Sequence, residues 1–151
     1  MLKALTALML TSTVAAHACP NLAGKFSTCV DPLGQMTSSG VEISQKIDNR
    51  TMIYFITAPD DISDEKVTST YRADGKTYIE TENNPDMGII RTATTVSCMG
   101  NTSIRMKLNV KIQNQLVTDM TTEISKSNNK LIMVTKGLVF GEQINQTETC
   151  Q

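Results

Sequence analysis

The stretch IRMKLNVKIQ, residues 104–113, decides the fold because its apolar and polar residues alternate without interruption. A period of two places alternate side chains on opposite faces of a β-strand. The apolar face would carry Ile104, Met106, Leu108, Val110 and Ile112, and the polar face Arg105, Lys107, Asn109, Lys111 and Gln113. The stretch therefore predicts a strand with one buried face and one face in water.

Similar strand patterns lie on both sides of this stretch and leave little room for helices. The connections between these runs are short, and short connections join antiparallel neighbours. Asp74-Gly75, between two of the runs, is a strong hairpin signal. We therefore predict an all-β, antiparallel up-and-down meander of about eight to ten strands. The other predicted strands cover residues 41–48, 52–56, 67–71, 77–81, 89–96, 116–124, 131–134 and 143–149.

A meander of this length has two ways to bury its apolar face. One long sheet either curls into a closed barrel or splits into two packed sheets. The sequential hairpins favour a closed up-and-down barrel, and a β-sandwich is the alternative.

The stretch Leu22-Ala23-Gly24-Lys25-Phe26 carries a family resemblance. It resembles the first strand of lipocalin-like proteins, the calycin-type β-barrels, which opens with a Gly-x-aromatic step. Phe26 takes the aromatic position, where the family usually has Trp, and this chain has no Trp. The resemblance implies a small secreted bacterial β-barrel whose interior either holds a small apolar ligand or is filled by its own side chains.

Residues 1–18 have the three parts of a signal peptide. Lys3 supplies the charge, residues 4–15 form an apolar and small-residue run, and Ala16-His17-Ala18 gives a small-x-small cleavage site. The run is shorter than the ~20 apolar residues that a membrane-spanning helix needs. We therefore expect one exported domain, residues 19–151, that is periplasmic or secreted and has no transmembrane span once the leader is removed.

Four cysteines follow the leader: Cys19, Cys29, Cys98 and Cys150. An even number in an exported domain indicates two disulfide bonds, although the sequence allows three connectivities. We predict Cys19–Cys29, whose members are close in sequence, and Cys98–Cys150, which would tie the end of the chain to its middle. The alternative for Cys19 is a lipid-modified N-terminus, because bacterial lipoprotein leaders are cleaved directly before a cysteine.

The residue types that remain exclude several functions. His17 is the only histidine and lies in the predicted leader, so we expect neither Ser–His nor Cys–His catalysis and no histidine metal site. A net charge of −1 and an aromatic content of 4% do not provide the basic, stacking surface that binds nucleic acid. We predict a protein without catalytic activity, metal or cofactor. A hydrolase that uses only carboxylates is the remaining enzymatic alternative.

Residues 59–65 form an acidic cluster that contains Asp60, Asp61, Asp64 and Glu65. Carboxylates are calcium ligands, but this spacing matches no compact calcium-binding loop. We predict a solvated turn here, and a role as a contact for another protein stays open.

Methionines mark the candidate binding face. Met106, Met120 and Met133 lie on the apolar side of three successive predicted strands. Thioether side chains adapt to irregular apolar ligands, although they also fill gaps in ordinary cores. With Phe26 and Tyr54 they form the predicted ligand site.

Two functions follow from these features. The leading hypothesis is an exported, non-catalytic β-barrel that binds a small hydrophobic ligand or lipid in its interior. The alternative is an envelope or secreted protein-interaction module, such as an inhibitor or accessory protein, that acts through loops or an edge strand.

Overall fold

The structure of the chain is a computed structural model that describes residues 18–60 and 65–151. These residues form twelve β-strands and no helix, so the predicted all-β class is confirmed. Most of the predicted leader lies outside the described residues. The strands are β1 (Gly24–Phe26), β2 (Cys29–Val30), β3 (Met36–Ser38), β4 (Val41–Asp48), β5 (Thr51–Pro59), β6 (Lys66–Arg72), β7 (Thr77–Asn84), β8 (Gly88–Met99), β9 (Ser103–Ile112), β10 (Gln115–Ser127), β11 (Lys130–Val139) and β12 (Glu142–Cys150).

The strands form two antiparallel sheets. The four-stranded sheet has the order β1-β4-β5-β6, and the eight-stranded sheet has the order β3-β2-β12-β11-β10-β9-β8-β7. Within each sheet the long strands pair in chain order, as a meander requires: β4 to β6 in one and β7 to β12 in the other. The short strands β2 and β3 have no counterpart among the predicted strands.

The predicted hairpin at Asp74-Gly75 is wrong. Ala73 N donates to Met52 O at 2.9 Å, whereas Gly75 N donates to Val96 O at 2.9 Å. The chain therefore leaves the ladder of β5 and joins that of β8 within two residues. A local turn signal specifies the bend but not the strand that pairs with the residues after it. Because β6 and β7 do not pair, the ladders of the described strands do not close into the predicted barrel.

Three of the short connections between predicted strands are tight hairpin turns. Both central residues have positive φ in Asn49–Arg50 (46° and 66°), Gln113–Asn114 (49° and 67°) and Asn128–Asn129 (49° and 60°). This left-handed conformation at two successive residues matches the twist of the flanking strands and favours asparagine. The turns therefore set the register of β4–β5, β9–β10 and β10–β11.

The core lies between the inner faces of the two sheets. In β9 the predicted alternation is confirmed, since Ile104 is fully buried while Arg105 and Lys107 are exposed. Ile104 faces Ile124 of β10 across the ladder, and Ile124 faces Met133 of β11. The buried cluster consists of Leu22, Phe26, Cys29, Val41, Ile43, Tyr54, Val96, Ile104, Ile124, Leu131 and Cys150.

Both disulfide bonds differ from the predicted pairing. Cys29 is bonded to Cys150 and Cys19 to Cys98. Cys29 lies directly opposite Cys150 where β2 pairs with β12, so the ladder brings together residues that are 121 positions apart. The predicted Cys19–Cys29 bond rested on closeness in sequence, whereas strand pairing decides which cysteines are close enough to bond. All four cysteines are bonded, and Cys19 has no thiol left for a lipid.

Two intact disulfide bonds indicate an oxidising environment outside the cytoplasm. Within residues 18–60 and 65–151, no helix has the length and apolar character needed to cross a bilayer.

Candidate functional site

A concave surface that both sheets line lies beside β6 and β7. We call it the inter-sheet groove. Its volume is about 570 Å³. The lining residues are Thr68, Ser69, Thr70, Tyr71 and Arg72 of β6, Tyr78 and Glu80 of β7, Thr92, Thr94 and Val96 of β8, and Leu108 of β9.

The groove lies beside the outermost strand of each sheet, β6 in the four-stranded sheet and β7 in the eight-stranded sheet. Seven of the eight residues in β7 are exposed, on both faces of the strand. Tyr78 is 43% exposed although it points to the inner side of the sheet.

One wall of the groove is the free edge of β6. Ala73 N donates to Met52 O, and this pair comes directly after Ile53–Arg72, the last pair of the β5–β6 register. In an antiparallel ladder, hydrogen-bonded and non-hydrogen-bonded pairs alternate. The backbone N–H and C=O groups of Thr68, Thr70 and Arg72 therefore point away from β5, toward the open edge.

The floor of the groove is the inner face of the eight-stranded sheet. Thr94 of β8 faces Tyr78 on one side and Leu108 on the other, and Thr92 faces Glu80. Hydroxyl groups thus alternate with apolar side chains across the floor. Such a surface suits a ligand that presents both apolar contacts and hydrogen-bonding groups.

Charged groups of β6 and of the turn after it meet at Tyr78, since both the Asp74 carboxylate and the Arg72 guanidinium act on its hydroxyl. Arg72 Nη1 lies 3.4 Å from Asp48 Oδ2, which holds the guanidinium at the edge of the four-stranded sheet. Tyr78 OH donates to Asp74 Oδ2 at 2.7 Å, and this hydrogen bond raises the pKa of Tyr78. Among the described residues Glu80 forms no ion pair, so its carboxylate is an unmatched negative charge on the floor.

The three predicted methionines share one face, on adjacent strands. Met106 lies in β9, Met120 in β10 and Met133 in β11, all on the inner side and all half-buried. Met106 and Met133 pack against the core cluster. Met120 faces Leu108 across the β9–β10 ladder, so the methionine row borders the groove without lining it.

The two predicted aromatic ligand residues are part of the core. Phe26 is 4% exposed and lies in β1, where it faces Val41 of β4. Tyr54 is fully buried, and its hydroxyl donates to Pro20 O at 2.8 Å. These rings fix the N-terminal segment against the sheets.

Tyr54 gives a testable alkaline titration. Burial raises its pKa from 10.0 to about 12, because the charged phenolate is poorly solvated in the core. A group that binds its proton more tightly when folded stabilises the protein below its unfolded pKa. The unfolding free energy should therefore fall by about 2–3 kcal/mol as the pH rises from 10 to 12.

Ultraviolet absorbance titration measures this step directly. An ionisation step at about pH 12 should belong to Tyr54, and Tyr54→Phe should remove that step. Three tyrosines that ionise together in the folded protein would contradict the buried position of Tyr54.

The acidic cluster is only partly described. Asp61 and Asp64 lie outside the described residues, and Asp60 N donates to Glu65 O at 2.7 Å. In the part of the chain that the structure describes, no three His, Cys, Asp or Glu side chains come together as metal ligands.

Sequence reasoning missed the groove, although a signal was present. β7 has the sequence TYIETENN, which is polar at most positions on both faces. A strand without an apolar face is typical of a sheet edge rather than of a position inside a closed barrel.

No protein-family model matches this chain, and no curated protein matches it significantly. The chemistry of the groove must therefore be inferred from its own residues.

Proposed function

We propose that this chain is an exported, non-catalytic binding protein that accepts a partner protein at the inter-sheet groove. Residues 1–18 would be removed as a signal peptide, and residues 19–151 would act in the periplasm or outside the cell. The two sheets would pack as an open sandwich or an incompletely closed lipocalin-like barrel, with the groove as the opening.

One observation carries this proposal: β6 and β7, two sheet edges with which no further described strand pairs, meet at the same concave surface. Free edges are usually shortened, charged or covered, because they pair readily with other chains. β6 has seven residues and β7 eight, so neither edge is short. Edges of this length beside a groove favour recognition of another polypeptide.

The residue types in the groove support binding rather than catalysis. Threonine and tyrosine hydroxyl groups become nucleophiles when an adjacent base activates them. The single histidine of the chain, His17, lies in the predicted leader, and the four cysteines are bonded to one another. Tyr78 has a carboxylate beside it, but its hydrogen bond to Asp74 raises the pKa of Tyr78 and keeps the hydroxyl protonated. The groove therefore offers the hydrogen-bonding and apolar contacts that a binding site uses.

Thr94 and Thr95 provide a matched test of the site. They are neighbours in β8, but Thr94 lines the groove, whereas Thr95 lies on the opposite face and bonds to Thr77 Oγ1 at 2.8 Å. Thr94→Trp should fill the groove and weaken partner binding by about tenfold or more, a loss of about 1.4 kcal/mol. Thr95→Trp should change the Kd for the partner by less than about twofold.

The measurement is isothermal titration calorimetry with a partner purified from the extracytoplasmic fraction of the source cells. Circular dichroism of both variants checks that the fold is kept. Equal binding by Thr94→Trp and the parent protein would place the contact elsewhere and contradict the proposed site.

A second candidate function is binding of a small hydrophobic ligand, such as a lipid, at the methionine row. The specific observation is that Met106, Met120 and Met133 are half-buried side by side on the inner face. Saturable binding of a fluorescent fatty acid would support this function. A probe that shows no saturable change would argue against it.

A further inference from the structure

We propose that the partner's contacting element is an extended segment that pairs with β6 and becomes the fifth strand of the four-stranded sheet. This inference rests on the proposed function and specifies how the groove is occupied. It follows from the backbone of β6, the uncovered floor and the charges around them.

The backbone of β6 offers a ready pairing edge. The N–H and C=O groups of Thr68, Thr70 and Arg72 point away from β5, as the register and the Ala73–Met52 hydrogen bond require. An added strand would satisfy these groups with a second ladder. Main-chain pairing of this kind gives affinity, and alternate side chains give specificity.

The position of an added strand matches the uncovered floor. Neighbouring strands in a sheet lie about 4.8 Å apart, and packed sheets lie about 10 Å apart. A strand next to β6 would therefore extend the four-stranded sheet over Thr92 and Thr94 of β8. It would cover part of the inner face that the present four strands leave open.

The connection between β6 and β7 favours a narrow ligand, a single extended strand. The turn at residues 73–76 joins the two strands at one end, with Gly75 N bonded to Val96 O. Because this turn bounds the groove at that end, a single strand fits better than the edge of another whole sheet. A loop or a terminal segment of the partner has that shape, whereas a second copy of this chain would bring a full sheet edge.

The side chains of the groove define the chemistry of the segment. Its inward residues would contact Val96, Leu108 and the methyl groups of Thr94, which favours β-branched or other aliphatic side chains. Glu80 has no cationic partner among the described residues, so a lysine or arginine in the segment would neutralise it. We thus expect alternating aliphatic and polar residues with one cation, over about the seven residues of β6.

The probe is a displayed library of random seven-residue peptides, selected on the whole mature protein. The enriched peptides should share the alternating pattern and a basic residue. If the selection enriches no peptides with this pattern, strand addition to β6 is overturned. The Thr94 and Thr95 variants test the proposed function separately.

A backbone variant then tests the pairing itself. Thr70→Pro removes an N–H that points away from β5, and proline is tolerated on edge strands. It should raise the Kd of an enriched peptide by about tenfold or more. The control Thr70→Val keeps the N–H and the branched shape, so it isolates the backbone effect, and Thr70→Pro should bind the peptide about tenfold more weakly than Thr70→Val does.

A modified peptide provides the same test without changing the protein. N-methylation at the alternate peptide amides that face β6 should abolish binding, whereas N-methylation at the intervening amides should not. If Thr70→Pro and both methylated peptides bind as well as their parents while Thr94→Trp blocks binding, strand addition is overturned and the groove remains the binding site.

Discussion

Replacement of Cys29 and Cys150 together by alanine should lower the free energy of unfolding by about 4–5 kcal/mol and prevent stable folding at body temperature. The bond joins residues 121 positions apart, so its loss releases a long loop in the unfolded chain. Both cysteines are fully buried in the core cluster, and alanine also leaves unfilled space there. The effect is among the largest that a pair of substitutions can have in this chain.

Urea denaturation of the two double variants measures the difference. The control pair, Cys19→Ala with Cys98→Ala, opens a bond with a sequence separation of 79, and its members are only half-buried. We expect the control pair to lower the free energy of unfolding by about 1 kcal/mol less than replacement of Cys29 and Cys150 does. A greater loss from the control pair, or a Cys19–Cys29 fragment in a non-reducing peptide map, would contradict the structure.

Gly137→Ala should lower the free energy of unfolding by about 3 kcal/mol or more. Gly137 lies in β11 opposite Met120 of β10 and has a φ of 147°, a conformation that side-chain-bearing residues rarely adopt. An added Cβ would overlap the backbone oxygen of Asp119 and come within 2.8 Å of Met120 Cα. Backbone atoms in the middle of a ladder cannot move aside without breaking its hydrogen bonds.

Gly141→Ala is the matched control. Gly141 also has a positive φ, 85°, but no atom lies within 4 Å of the added Cβ. We expect only the cost of the left-handed conformation, about 1 kcal/mol. Thermal or urea denaturation of both variants gives the comparison, and equal losses would mean that β10 and β11 do not approach as closely as the structure shows.

Local sequence patterns predicted most of the strands. In residues 104–113 every apolar residue falls on the inner face, because a period of two leaves one choice of face once the core is on one side. The conformation of the Asn49–Arg50 and Asn128–Asn129 turns is likewise local, because it depends on residues next to one another in the sequence.

Long-range pairing could not be predicted in the same way. The sequence near Asp74-Gly75 is the same whether the chain folds back on β6 or crosses to β8. Likewise, nothing near Cys29 indicates that Cys150 will lie opposite it. Both outcomes depend on which distant strands complete the sheets.

The same contrast between local patterns and long-range pairing applies to the candidate site. The shared face of Met106, Met120 and Met133 followed from alternation and is confirmed. The inter-sheet groove did not follow, because it depends on the absence of pairing between β6 and β7. Its lining residues, such as Thr70 and Thr94, have no motif that would mark them in sequence.

Residue-resolved amide hydrogen exchange along β6 tests the central claim most directly. In the free protein the amides of Thr68 and Thr70 should exchange rapidly, because they face the open edge, while those of Ser69 and Tyr71 should be protected by β5. Equal protection at all four amides would mean that β6 is already paired on both sides. That result would contradict an open edge and the binding site built on it.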